Sequence, residues 1–225
     1  LFKEFVSQRG GKMEGLKHKF KDAKGIVGKI DRKVQKKGIA PEEAALDIVD
    51  SLRYTMSFPP DNYTEGVRAT VRALREKGIE FESFDNNWSR GDAYNGINAV
   101  FLDTSTGLKI ELQFHTPASF KAKTTLNHDD YEFVREGKGT PAQRLVRHER
   151  MRHRSDAIVF PKNIESLGEE IEGVKVNDIF RPSLDTLFTK TRVDLLQFYG
   201  GEMKKIPVTT IKEIETLYQN GIAGL

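Results

Sequence analysis

Cysteine is absent from all 225 residues, which excludes disulfide scaffolds, thiolate zinc sites, iron–sulfur clusters and a Cys nucleophile. No apolar run approaches the roughly 20 residues that a membrane span needs, and no signal-peptide pattern is present. A Gly-x4-Gly-Lys-Ser/Thr loop is missing, which argues against ordinary P-loop chemistry. His128, His148 and His153 lack zinc-binding spacing, and there is neither an internal repeat nor a low-complexity segment. What remains is a chain with 37% hydrophobic and 31% charged residues, at the polar end of globular composition. Its length suits one domain of ordinary size, or one with a substantial extension, and such a domain needs no covalent staple. Leu1 is not an initiator Met, so a processed product or a piece of a longer chain is expected.

The net charge of +3 is unevenly spread. Residues 1–37 hold twelve Lys/Arg against four Asp/Glu, whereas residues 156–225 hold eight against eleven. A basic end on a near-neutral protein fits a nucleotide, a nucleic acid or an acidic partner, or else a solvated tail.

Periodicity predicts the elements. Ile26, Val27, Ile30 and Val34 keep helical spacing from Lys24 to Lys37, and Gly38 stops the run. Pro41 suits the first turn of a short helix through Leu46. A strand is predicted over Ile48–Met56, closed by Pro59 and Pro60. A helix over 62–77 follows, buried through Tyr63, Val67, Val71 and Leu74, then a strand over Ile79–Phe84. Ile97–Leu102 and Leu108–His115 form a hairpin across the polar turn from Asp103 to Gly107. Two helices are predicted at 118–136 and 141–155, with strands near Val174 and a final helix near Ile211–Tyr218. Irregular interleaving of strands and helices predicts an α+β fold, a mixed sheet flanked by helices.

Three features carry chemistry. On Leu108–His115 the apolar Ile110, Leu112 and Phe114 alternate with Glu111, Gln113 and His115, so the polar set faces either water or a site. Asp50 opens an otherwise apolar strand, where a carboxylate is costly unless it pairs with Arg53 or binds a cation. With Glu111 it would supply the hard oxygen ligands that Mg²⁺ prefers when phosphates are also present. Lys19, Lys21, Lys24 and Lys29 surround a helix entry and can cradle a triphosphate beside free backbone N–H groups. Elsewhere, Tyr94 suits either base stacking or core packing, and Trp88 either a loop anchor or a lid. The segment Arg144–Arg154 holds five Arg against one Glu, either a solvated face or a contact for RNA or a long phosphate chain.

In order along roughly residues 17–135, these segments resemble the synthetase domain of the RelA/SpoT family, including small alarmone synthetases and their toxin relatives. Lys19-x-Lys21-x3-Gly25-Ile26-x2-Lys29 resembles the family's Arg-x-Lys-x3-Ser-Ile-x2-Lys, and Asp50 with Arg53 resembles its strand Asp–Arg pair. Arg90-x2-Ala93-Tyr94-Asn95-Gly96-Ile97-Asn98 resembles Lys-x2-Gly-Tyr-Arg-Ser-x-His. Glu111-Leu112-Gln113-Phe114-His115-Thr116 resembles Glu-x-Gln-x-Arg-Thr, while His128 and Tyr131 resemble a later His and Tyr. The Asp–Arg spacing is three where the family usually has five, so Asp47 or Asp50 is the ligand, and strand parity favours Asp50. Asn95, Asn98 and His115 depart from the family on its acceptor side, so guanine specificity is not carried over.

The resemblance implies a nucleotidyltransferase-like synthetase domain over 17–155, after a basic segment at 1–16 and before an extension at 156–225. It implies a Mg²⁺-dependent transfer of pyrophosphate from ATP to the 3′-hydroxyl of an acceptor purine nucleotide. Asp50 and Glu111 would be catalytic and metal-binding, with Lys19, Lys21, Lys29 and Arg53 on ATP. Arg90, Tyr94, Asn98, Gln113 and His115 would hold the acceptor. No hydrolase segment is visible, which by analogy suggests a toxin or effector domain acting in the cytoplasm, delivered within a larger secreted protein and countered by an immunity or antitoxin protein. A tRNA 3′ end as acceptor, or a non-catalytic module binding nucleic acid or a partner, are the alternatives.

Overall fold

Five strands build a mixed sheet: β1 (Lys12–Glu14), β2 (Leu52–Ser57), β3 (Ile79–Asn86), β4 (Ile97–Asp103) and β5 (Lys109–His115). Their spatial order is β1-β2-β5-β4-β3, with β2 and β5 parallel and the other pairs antiparallel. This is a computed structural model, which describes residues 2–46, 48–167, 170–171 and 174–175. Contacts divide the chain into two units. Among the described residues, the first comprises 2–86, Gly96–Thr116 and those from Pro161 onward; the second comprises Asn87–Asn95 and Pro117–Phe160.

In the first unit, helices α1 (Phe2–Ser7), α2 (Ala23–Lys37), α3 (Pro41–Leu46) and α4 (Tyr63–Arg75) accompany the sheet. Its class is therefore α+β, a mixed sheet flanked by helices, as the alternation of patterns predicts. The β4–β5 hairpin forms where its turn chemistry demands. Asp103 Oδ1 accepts from Ser105 N at 2.9 Å, and Gly107 takes the left-handed φ of 71° that closes the loop. Met56, Phe58, Tyr63, Val67, Val71, Phe101, Leu112 and Phe114 are buried and form the core. Each contributes on the order of 1.5–3 kcal/mol of burial. Tyr63 satisfies its hydroxyl by donating to the Phe114 carbonyl at 2.8 Å.

Two expectations need correction here. The strand predicted from Ile48 begins only at Leu52, because no strand partner reaches residues 48–50. Pairing starts where Lys21 N donates to the Ser51 carbonyl and Arg53 N to the Lys19 carbonyl, around the Phe20–Leu52 bridge. Asp50 thus sits in an irregular segment rather than on a strand. Asp47, the alternative ligand, lies outside the described residues. Of the two readings of the polar set on the hairpin's second strand, water or a site, open solvation fails. β5 is the middle strand, so Gln113 and His115 are buried.

The second unit contains α5 (Pro117–Lys121), α6 (His128–Arg135) and α7 (Pro141–Asp156). Thr140 and Gln143 close a capping box around Pro141, which fixes the start of α7 where predicted. The single helix expected at 118–136 is instead interrupted by a π turn over Ala122–Leu126. Asn127 N donates to the Ala122 carbonyl at 2.8 Å, and the Asn127 side chain turns inward, 4% exposed. The strands expected near Val174 appear as a small ladder, β6 (Glu170–Ile171) with β7 (Val174–Lys175). The helix expected near Ile211–Tyr218 lies outside the described residues.

Candidate functional site

Strand register sets one face of the sheet apart. Cα partners align Glu14 with Thr55, Thr55 with Gln113, Gln113 with Asn98 and Asn98 with Asp85, a polar row across all five strands. The next row places Arg53 beside Glu111, and on the other side Ser57 stands beside His115. Residues in register share a face, and the alternate residues Tyr54, Met56, Leu112 and Phe114 occupy the opposite one. Within the polar row, Gln113 Nε2 donates to Glu111 Oε1 at 2.7 Å, and Thr55 Oγ1 lies 3.4 Å from Gln113 Oε1. Ser57 Oγ donates to Glu14 Oε1 at 2.8 Å. So many polar groups on interior strands are costly to bury without a purpose or partners. Glu14, Thr55, Ser57 and Asp85 join the face although sequence reading did not single them out. The alternation Arg53, Thr55, Ser57 was the available signal.

Asp50 gathers the basic start of the chain. Lys21 Nζ donates to Oδ2 at 2.8 Å. Lys29 Nζ approaches Oδ1 to 2.6 Å, so each carboxylate oxygen meets an ammonium group. Two of the predicted ATP ligands therefore share one carboxylate, 8% exposed, and these lysines supply the compensation for which Arg53 or a cation was the alternative. Burial pushes the Asp50 carboxyl up, but hydrogen bonds and charge from Lys21 and Lys29 together outweigh it and hold the group below its ordinary value. Two ammonium groups against one carboxylate leave a positive surplus. Lys19 stands next to this pair in the chain, its Nζ 5.1 Å from the centre of the exposed Phe20 ring.

One of the free N–H groups expected at the helix entry, that of Gly25, is taken. Asp22 caps α2, accepting from Gly25 N at 2.7 Å. A phosphate cradle here would rest on ammonium groups rather than on Gly25 N–H.

The second unit holds the remaining predicted residues. The Arg90 guanidinium stacks 4.1 Å from the Phe160 ring centre and donates to the Asp156 carbonyl, while Gly91 N donates to Asp156 Oδ1 at 2.8 Å. Burial pushes the Asp156 carboxyl up, against the lowering effects of Gly91 N–H and Arg90. Asn95 donates to the Ser155 carbonyl at 2.7 Å. Trp88 is fully buried edge-on to Phe160, which settles it as a loop anchor. Tyr94 is half-buried with Lys123 Nζ 5.6 Å above its ring. His128 and Tyr131 are exposed on α6.

A hard divalent cation takes carboxylate, phosphate and water oxygens. Among the described residues no group of three or more His, Cys, Asp or Glu converges. Asp50 and Glu111 each offer the carboxylate oxygens such a cation takes, and at Asp50 it would replace an ammonium contact of Lys21 or Lys29.

No family model and no curated protein matches this chain. Among solved structures it is similar to small alarmone synthetase 1 from Bacillus subtilis bound to its product pppGpp. The identity is 14% and the TM-score 0.42, over 65% of this chain and 70% of that one. It is also similar to a GTP pyrophosphokinase family protein from Streptococcus pneumoniae, at 16% identity and a TM-score of 0.44 over 68% and 77% of the two chains. Likenesses of this extent leave the chemistry to the residues themselves. Among the described residues no helix is long and apolar enough to cross a membrane.

Proposed function

We propose that this chain is a Mg²⁺-dependent pyrophosphokinase that moves the β,γ-pyrophosphate of ATP to the 3′-hydroxyl of a purine nucleotide. The products would be AMP and an alarmone of the (p)ppApp or (p)ppGpp type. The observation that carries this reading is the surplus ammonium charge on Asp50, in a unit whose sheet face presents Glu111 in register with Arg53.

Such a transfer needs positioning, charge neutralisation and a base for the hydroxyl. Lys19, Lys21 and Lys29 would meet the triphosphate, with Arg53 assisting. Gln113 fixes Glu111 through Oε1, which leaves the second carboxylate oxygen for the 3′-hydroxyl proton. The 3′-oxygen then bonds to the β-phosphorus, the bond from that phosphorus to the α,β-bridging oxygen breaks, and AMP departs with that oxygen. Asp50 and Glu111 would hold magnesium, whose chemistry there is neutralisation of the phosphate oxygens. Asn98 would serve the acceptor from the sheet face, while the buried Gln113 and His115 would hold that face in place, Gln113 through Glu111. Tyr94, half-buried with Lys123 over its ring, offers a face for stacking on a base. Unopposed synthesis of this kind would arrest growth, so we read the chain as a toxin or effector domain checked by an immunity or antitoxin partner.

Stacking discriminates poorly between purines, and Asn95, Asn98 and His115 depart from the family motif on its acceptor side. An acceptor panel of ADP, ATP, GDP, GTP and tRNA, with labelled ATP as donor, tests this. Tolerance or an adenine preference is expected, with acceptor binding weakened by about 1–3 kcal/mol in Tyr94→Ala. Strict use of GDP or GTP would refute the preference, and product on tRNA alone would redirect the acceptor.

A further inference from the structure

The arginines of α7 form a cluster that the proposed transfer does not use. Arg147, Arg150 and Arg154 are spaced three and four residues apart, so they share one helix face, where like charges repel. All three converge on Asp130 of α6. Arg147 Nη1 stands 2.7 Å and Arg150 Nη1 3.4 Å from Oδ1, and Arg154 Nη1 stands 2.9 Å from Oδ2. The Asp130 side chain is 7% exposed, whereas the three arginines are 34%, 38% and 24% exposed. Three guanidinium charges therefore meet one carboxylate, and two remain uncompensated within the cluster.

The donors are also held in place. Arg147 stacks 4.0 Å from the Phe133 ring centre, and Arg154 donates to the Leu126 carbonyl at 2.5 Å. Each guanidinium carries five N–H donors, and among the described residues all three bond to Asp130 through Nη1 alone. Arg150 has no other partner among them. Nearby basic side chains are engaged otherwise: Arg152 pairs with buried Glu149 at 2.6 Å, and Arg144 donates to the carbonyls of Gly137, Lys138 and Gly139.

We propose that Arg147, Arg150 and Arg154, oriented by Asp130, bind a compact and multiply charged phosphate anion, a diphosphate group, at a site in the second unit. Arginine forks match phosphate oxygens two at a time, and fixed guanidinium groups lose little freedom on binding. Convergence on one point favours a compact anion over RNA, whose backbone needs a charged groove that tracks it. The site is independent of Asp50 and of the proposed transfer.

The test follows the arginine side-chain N–H signals of the full chain by NMR while inorganic pyrophosphate, ADP or a single-stranded RNA is added. Pyrophosphate should shift the signals of all three arginines, and a matching response to ADP would assign a nucleotide-borne diphosphate. Arg150→Gln, chosen because Arg150 is the least tied, should weaken that response about tenfold or more, with thermal unfolding unchanged. Lys21→Ala should leave it unaffected, which separates this site from the ATP cradle. No response to pyrophosphate or ADP, an undiminished response in Arg150→Gln, or a response to RNA alone would overturn the proposal.

Discussion

Asp50 concentrates the electrostatics of the first unit, because its buried carboxylate is matched by two lysines brought from β2's neighbouring segment and from α2. Its folded pKa lies below the unfolded value near 3.9, so the pairing stabilises above that value. That contribution disappears as pH falls through the folded pKa. Asp50→Asn should therefore be less stable than the parent at pH 7, with the gap closing as the pH drops below about 4. Urea unfolding at a series of pH values reads this directly, and a gap constant with pH would show that charge is not the cause. The lysines carry a second expectation. Lys21→Ala and Lys29→Ala should each weaken ATP binding about tenfold, since each removes a charge-assisted phosphate contact. Calorimetry with ATP checks it, and unchanged binding in both variants would reduce the basic start to a solvated surface.

Elements were legible where local chemistry decides them. The turn at Asp103–Gly107, the capping box before α7 and the apolar stripe of α4 are all written in adjacent residues. Tertiary pairing was not. β1 is three residues long, too short for a period, and it forms because β2 offers an open edge. The central place of β5 follows from parallel pairing with the distant β2, which buries Gln113 and His115 on a face that alternation alone leaves open between water and a site. The ligand types Asp50, Lys21 and Lys29 could be named from sequence, but their mutual pairing could not, nor could the collection of three arginines by Asp130. Packing also reverses a propensity rule in α4. Gly66→Ala should gain up to about 1 kcal/mol of helix propensity. However, a Cβ there would meet the Phe58 ring at 2.7 Å. Overpacking against a fully buried ring should win, with a net loss of about 1–3 kcal/mol by chemical denaturation. A stabilised variant would show that Phe58 yields readily.

At the scale of the whole molecule, the proposed donor and metal-binding residues all lie in the first unit, with Arg90 and Tyr94 in the second. In the proposed transfer Glu111, held by Gln113, takes the proton of an acceptor hydroxyl as pyrophosphate leaves ATP. Glu111→Gln preserves shape and removes both the charge and the base. The decisive measurement is transfer of label from γ-labelled ATP to a purine nucleotide, with magnesium, by the parent and by folded Glu111→Gln. AMP and a labelled 3′-diphosphorylated nucleotide are expected from the parent, and a rate lower by about 10²-fold or more from the variant. Transfer by Glu111→Gln at the parent's rate, or none by the parent with any purine acceptor, would contradict this proposal.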